Sequence, residues 1–219
     1  MLVGSTQNGG PQGRRVPSET RDRIVETTAD LFRRQGYVAT GIKQIVAEAR
    51  APFGSIYHFF PGGKEELGAE VIRESGAMYL QLFVEIAAGS TDVVDTVSNF
   101  FTEAAKDIEA SGYEDACPIA TVALEVASSS EPLRQATADV FESWLTAAIE
   151  YFASAGMDRA RAREVAFEML SLLEGAFIFS RAMRTPEPVL IAGRAAVASV
   201  RAALPTTTSP SRRARRVRR

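Results

Sequence analysis

Two prolines, Pro52 and Pro61, bracket only eight residues, Phe53-Gly54-Ser55-Ile56-Tyr57-His58-Phe59-Phe60, and this confinement limits the fold more than any other feature of the chain. Proline is tolerated in the first turn of a helix, and Pro61-Gly62-Gly63 ends one, so a helix here runs two turns. Two turns are not stable alone in water. Tertiary packing must hold them: Ile56, Phe59 and Phe60 supply an apolar side, which leaves Phe53, Gly54, Ser55, Tyr57 and His58 facing outwards.

The flanking segments provide the packing partners. Ile24, Thr28, Leu31 and Phe32 recur at helical spacing behind Ser18, a suitable N-cap, with Glu19 and Asp22 in the first turn. Gly36 then stops a first helix over about 18–35 in the left-handed conformation. Thr40 caps a second, short helix over 40–49 with Ile42, Ile45, Val46 and Ala49 on one face. Behind Gly63 a fourth opens at Lys64-Glu65-Glu66-Leu67 and continues through Val71, Met78, Leu82 and Ile86. Two short helices joined by Arg50-Ala51, the second displaying its polar side, have the form of a helix-turn-helix. DNA gives the reason for that form: a major groove about 12 Å wide admits one helix while the preceding helix crosses the backbone. Thr40 and Lys64 would then offer hydroxyl, amide and ammonium donors to phosphates, and Tyr57 and His58 neutral ones. The same spacing also suits a purely structural three-helix unit, and by itself leaves both readings open.

From residue 91 on, the pattern predicts helices over about 91–110, 118–127, 131–154, 159–184 and 187–203, with no strand-length alternation. The fold class is therefore all-α. The segment 159–184 is apolar on two faces, one through Val165, Met169, Leu172, Leu173, Ala176 and Met183, the other through Phe167, Leu170, Phe177 and Ile178. One face packs within the chain; the second requires a partner, and with the Ala- and Gly-rich segment 187–203 it suggests a four-helix bundle formed with a second copy. Burial of both faces within one subunit is the alternative. Aromatic and sulfur side chains of this half, Phe100, Phe101, Phe141, Trp144, Phe167, Phe177 and Met183, are candidates to line a ligand pocket, although aromatics at helical spacing also make ordinary core.

Charge narrows the function further. Residues 14–76 hold ten basic and nine acidic side chains, residues 77–210 hold nine and eighteen, and Ser211 to Arg219 carry six arginines without an acid. Positive surface for a nucleic acid thus belongs to the two ends of the chain, and the acidic middle favours a neutral or cationic ligand over an anionic one. One cysteine, Cys117, and one histidine, His58, exclude an internal disulfide and a structural zinc site. Cys117 precedes Pro118 at a helix start, so it is a small structural residue or, less simply, a redox-sensing thiol. Neither a signal segment nor an apolar run of spanning length is present in the sequence, and a cytoplasmic protein without a cofactor or metal is expected. The domain organisation predicted is a disordered arm over 1–17, a helix-turn-helix domain over 18–66, an effector-binding and dimerisation domain over 67–204, and a disordered Arg-rich tail over 205–219. Arg14 and Arg15 of the arm could enter a minor groove, and the tail could raise affinity for any DNA by counterion release.

Residues 20–67, TRDRIVETTADLFRRQGYVATGIKQIVAEARAPFGSIYHFFPGGKEEL, resemble the N-terminal domain of TetR/AcrR transcriptional regulators. Ala29, Leu31-Phe32, Gly36-Tyr37, Thr40, Ile42, Ile45, the run Ser55 to Phe60 and Lys64-Glu65-Glu66-Leu67 carry the likeness. Pro61-Gly62-Gly63-Lys64, Cys117-Pro118-Ile119-Ala120 and Leu173-Glu174-Gly175-Ala176 extend it to the LmrA/YxaF-like branch. The resemblance implies a homodimeric repressor that places one helix-turn-helix per subunit on a palindromic operator and binds a small molecule in its second domain. It assigns phosphate contacts to Thr40, Tyr57, His58 and Lys64, and places Gly41, Lys43, Gln44, Phe53, Gly54 and Ser55 at the DNA, with base edges nearest Lys43, Gln44 and Phe53 to Ser55. Two residues depart from the family pattern. Arg50 occupies a turn position where glycine is usual, so a left-handed backbone there costs roughly 1 kcal/mol or the turn is built differently. Phe53 stands where a polar or basic residue is common, which exchanges a guanine-reading donor for a thymine-methyl contact. Two competing readings remain: a ligand-binding or catalytic helical bundle with a vestigial helix-turn-helix, for which no catalytic constellation is present in the sequence, and DNA compaction driven by the arginine tail.

Overall fold

The computed structural model describes residues 17–115 and 117–205, and every regular element among them is an α-helix: α1 (Pro17–Ala39), α2 (Ile42–Glu48), α3 (Ser55–Phe59), α4 (Lys64–Gly89), α5 (Val93–Ala110), α6 (Pro118–Val126), α7 (Glu131–Ser154), α8 (Arg159–Met183) and α9 (Glu187–Ala203). Arg14 and Arg15 of the arm and the six arginines of the tail lie outside the residues so described, and α1 begins at Pro17, so Ser18, expected as its N-cap, is already inside the helix. Helix starts follow local chemistry. Asp92 accepts from the Val94 and Asp95 amides, Asp158 from Ala160 and Arg161, and Ser130 from Leu133, each satisfying amides that the first turn leaves unpaired. No helix among the described residues is long and apolar enough to cross a membrane.

The start of the chain differs from its sequence-based expectation in two places. Gly36 takes φ 80° and ψ 177°, so α1 kinks there and continues as one further turn to Ala39 instead of ending. Thr40 does not cap α2. Gly41 occupies the N-cap, and the Thr40 hydroxyl turns back to donate to the Gly36 carbonyl at 2.6 Å. The left-handed turn at Arg50 is present, at φ 49°. Here the Ala51 amide bonds to the Val46 carbonyl at 2.9 Å and the Arg50 amide to that of Ala47 at 3.2 Å, the paired bonds of a Schellman ending. Arginine therefore occupies a conformation suited to glycine.

Packing is organised in two apolar clusters joined by α4. The first gathers Ile24 and Phe32 of α1, Ile45 of α2, Ile56 and Phe60 around α3, Leu67 and Val71 of α4, Ile119 and Val122 of α6 and Leu133 and Val140 of α7. Ile56 and Phe60 have no solvent exposure, and each contributes about 1.5–3 kcal/mol by burial. That burial holds a helix of five residues that propensity alone would not form. The second cluster joins Phe83, Phe101, Phe152, Val165, Met169, Val189 and Val200 from α4, α5, α7, α8 and α9. Gly193 of α9 serves this core and not a second subunit: a Cβ there would lie 2.6 Å from Phe101 Cβ, so glycine is what lets α9 lie against α5.

Candidate functional site

The outer surface of α2 and α3 carries the first set of candidates. Ile56 is buried beneath α3, while Tyr57 and Phe53 are each 51% exposed, His58 and Gly54 are exposed and Ser55 is half-buried. Phe53 and Tyr57 rings lie 6.3 Å apart, and the Tyr57 ring rests against Gly63, whose positive φ of 68° turns the chain into α4. Tyr57 thus stands beside the N-terminal amides of α4, which have no side-chain cap. A phenolic hydroxyl next to free helix amides is a phosphate-binding arrangement. Gly41 and Gly54 have ordinary φ values and open space where a Cβ would stand, so the fold does not require glycine at either. Their bareness leaves the backbone open to close approach from outside.

Other members of the set are less free. Thr40 has no exposure, and its hydroxyl, donating to Gly36 and accepting from Gln35 Nε2 at 3.2 Å, has no donor left for a phosphate. Lys64 is half-buried; its Nζ donates to the Tyr37 carbonyl at 2.6 Å and lies 4.0 Å from the Tyr37 ring centre, with burial lowering its pKa. Two of its three N–H bonds stay available. Gln44 accepts from Gln35 at 2.8 Å and donates to Glu48 at 3.0 Å, whereas Lys43 is exposed. A groove-facing set made of Lys43, Phe53, Gly54, Ser55, Tyr57 and His58, with Gln44 held at its edge, is what the fold brings together.

A cavity of about 600 Å3 lies between α4, α5, α7 and α8, within the range of small-molecule sites. Three of the seven side chains proposed from sequence line it: Phe100, Trp144 and Phe177. The other four do not. Phe101 is 1% exposed and fills the second core, because its neighbour Phe100 sits about 100° away around α5 and takes the cavity side. Phe141 packs against the first core with its ring 5.8 Å from Trp144. Phe167 and Met183 face outwards on α8, Phe167 beneath the Arg163 guanidinium at 4.9 Å. Sequence reasoning did not single out Tyr79 or Phe83, and it read Met78, Leu82 and Ile86 only as apolar positions of α4 and Leu170 only as part of the second face of α8, whereas all six line the cavity. Trp144 is oriented by its Nε1, which donates to the Gly76 carbonyl at 2.8 Å.

The polar part of the lining includes Arg33, Glu103, Asp107, Ser111, Asp115, Cys117 and Glu174. Burial pushes the Glu174 carboxyl up to about 7 and the Cys117 thiol well above its ordinary range, with the nearby Glu174 raising the thiol further. A thiol kept protonated in this way is unreactive. The dipole of α6, to which Cys117 is the N-cap through a 3.5 Å contact from the Ala120 amide, does not offset its burial. Among the described residues no three His, Cys, Asp or Glu side chains are grouped to hold a metal ion.

Family models match both halves of the chain: bacterial regulatory proteins of the tetR family over residues 24–71, and the C-terminal domain of LmrA/YxaF-like transcriptional regulators over residues 93–195. The HTH-type transcriptional regulator YxaF of Bacillus subtilis is 34% identical over 79% of this chain and 91% of its own length. LmrA of the same organism, also an HTH-type transcriptional regulator, is 30% identical over 78% of this chain and 92% of its own. The chain belongs to the TetR family of transcriptional regulators. Within the family it is a member of the LmrA/YxaF-like branch. Its fold is shared with the regulatory protein TetR from Rhodobacter sphaeroides, at a TM-score of 0.74 and 20% identity, covering 82% of this chain and 98% of that one. Reduced NemR from E. coli superposes with a TM-score of 0.71 at 21% identity, covering 87% and 100%.

In this TetR-family regulator, α8 has three environments and not two. Val165 and Ala176 enter the core, Met169 and Leu173 lie between core and cavity, Leu170 and Phe177 meet the cavity, and Phe167, Ile178, Phe179 and Met183 are 43–62% exposed. Leu190 and Ile191 of α9 add to the exposed set. An exposed stripe of six large apolar side chains across two helices is the surface expected of an unpartnered interface.

Two ties link the cavity to the helix-turn-helix. The first is α4, which begins at Lys64 beside the candidate DNA surface and carries Tyr79 and Phe83 into the cavity wall. The second is α6, whose Cys117 end lines the cavity and whose Glu125 carboxylate accepts from the Val38 amide at 2.9 Å, in the turn before α2. Gly36 is favoured there by its positive φ, and a Cβ in its place would push the Glu125 carboxylate off the Val38 amide.

Proposed function

We propose that this protein is a homodimeric repressor that holds a palindromic operator through Lys43, Gln44, Phe53, Gly54, Ser55, Tyr57 and His58, with Gly41 and the amides of α4 at the phosphates and Lys64 behind them. The observation that carries the reading is the outward face of α3: five residues held by a buried Ile56 and Phe60 and displaying aromatic and polar groups that contribute nothing to the core. A helix this short, anchored on one side only, fits a major groove. Dimerisation is assigned to the exposed stripe of α8 and α9, which would cover Ile178, Phe179 and Met183 with their copies from a second subunit.

The effector site is the cavity lined by Tyr79, Phe83, Phe100, Trp144 and Phe177. A ligand that wedges these walls apart moves α4, which lines the cavity, together with α6, whose N-cap Cys117 lines it, and the two helices meet the helix-turn-helix at Lys64 and at Glu125. The two recognition helices then lose the separation of about 34–36 Å that one turn of DNA requires. A differential affinity of a few kcal/mol between the two conformations suffices. Selection from a random duplex library tests the reading: enrichment of a two-fold symmetric site with half-sites one helical turn apart is expected. Recovery of unrelated sequences without symmetry would overturn it.

A further inference from the structure

Glu174 is an acid set in an apolar wall. It lies on α8 facing the cavity, and its near neighbour is the Cys117 thiol; among the described residues no basic group acts on it. Arg33, the one basic side chain that lines the cavity among the described residues, is engaged by Asp30 and by Asp115, the latter at 3.4 Å. Glu103, paired with Lys106 at 2.7 Å, and Asp107 add carboxylates from α5, so that Asp107 and Glu174 are the lining acids without a basic partner among the described residues. Taking a carboxylate out of water without a counter-charge is costly, and nothing in the packing of α8 calls for one at this position. The rest of the wall is aromatic: the Tyr79 and Trp144 rings meet edge to face at 6.3 Å, and those of Phe83 and Phe100 at 5.5 Å. Aromatic faces beside a lone, half-buried acid attract a positive charge carried on an apolar body.

We infer that the ligand of this cavity is an apolar organic cation, an aromatic or aliphatic body bearing one positively charged nitrogen, and that Glu174 pairs with that nitrogen. The inference rests on the cavity being the effector site, and it adds the chemical class of the effector. The ligand supplies the counter-charge that the protein leaves out, so an anionic compound of the same shape is excluded by charge and a neutral one forgoes the pairing. A pH signature follows. Burial lifts the Glu174 carboxyl to about 7, and a cation prefers its charged form. Affinity for a cation that cannot itself titrate therefore rises about ten-fold from pH 6 to pH 8, as the ionised fraction grows. The other ionisable groups at the cavity are Arg33 from α1, Tyr79 from α4, Glu103 and Asp107 from α5, and Asp115 and Cys117 ahead of α6. Burial carries Tyr79 to about 12 and Cys117 upwards, both away from this interval.

The test uses the full-length protein and a matched pair of probes, 3-(2-naphthyl)propyltrimethylammonium and its neutral tert-butyl isostere, with the corresponding propylsulfonate as the anion. Trp144, the single tryptophan, is in the cavity wall, so its emission reports occupancy without DNA. The expected result at pH 8 is binding of the cation at least ten-fold tighter than the isostere, with the sulfonate weakest. Glu174→Gln should erase the difference between cation and isostere while leaving the isostere's affinity within two-fold. If that variant does not fold, the wild-type comparison and its pH dependence carry the test. Equal affinity of cation and isostere, with Trp144 responding to both, would overturn the inference and leave the cavity reading intact. No response of Trp144 to any probe at millimolar concentration would overturn both.

Discussion

Replacing Glu174 with glutamine removes a charge that the fold accommodates badly, and the consequence for stability can be worked from the cavity wall. The carboxyl is raised from 4.5 to about 7 in the folded protein. Between those values the folded state keeps a proton that the unfolded state has lost, so stability falls as pH rises through this window. The full effect is about 3 kcal/mol, of which about 2.5 kcal/mol falls between pH 5 and pH 8. Solvent reaching the cavity side of the carboxyl makes this an upper figure. Glutamine has the same shape and no proton to lose, so Glu174→Gln should be similar to wild type near pH 5 and more stable by about 2 kcal/mol at pH 8. Urea unfolding at pH 5, 6, 7 and 8 measures this, at one fixed protein concentration because the proposed dimer would contribute to apparent stability. Parallel pH profiles for the two proteins would show that Glu174 is not buried as described and would refute the reasoning.

Three further substitutions test other parts of the account. Arg50→Gly relieves a left-handed arginine at φ 49° and should raise stability by about 1 kcal/mol, read as a higher urea midpoint with an unchanged slope. Gly193→Ala drives a Cβ to 2.6 Å from Phe101 Cβ and should cost about 1–3 kcal/mol, whereas Gly54→Ala, with open space around it, should leave the unfolding midpoint near wild type and weaken operator binding. Phe179→Glu, at a side chain 62% exposed on α8, should yield a monomer in sedimentation velocity without loss of helical circular dichroism; a dimer that persists would move the interface elsewhere.

Helix ends in the second half were legible because their signals are local. Asp92, Ser130 and Asp158 cap the helices they precede, and prolines at 118, 132 and 188 stand in first turns, so the elements from α5 to α9 begin and end within about two residues of the pattern. The turn before α2 was not legible, because the choice of the Thr40 hydroxyl is a tertiary matter. It caps nothing once the kink at Gly36 offers a carbonyl, and Glu125 from a distant helix takes the Val38 amide. Family resemblance and helical spacing together led to the outward face of α3, yet neither reports that Gln44 is tied to Gln35 and Glu48. The cavity was the hardest part. Helical periodicity separates inside from outside but does not separate packed interior from a hole, so Phe101 and Phe100 look alike in sequence and differ in space. Glu174 did leave a mark: an acid between Leu173 and Gly175 on an otherwise apolar stretch of α8.

The central claim is that a five-residue helix held at the surface reads a DNA sequence. Fluorescence anisotropy with the selected duplex and with a shuffled duplex of equal length, at one physiological salt concentration, measures it most directly. The account predicts a preference of 10³-fold or more for the selected site, typical of specific binding. Tyr57→Ala should lower both affinities together, Ser55→Ala should narrow the ratio between them, and a chain ending at Leu204 should keep the preference. Equal affinity for the two duplexes, or loss of all binding on removal of the arginine tail, would contradict it.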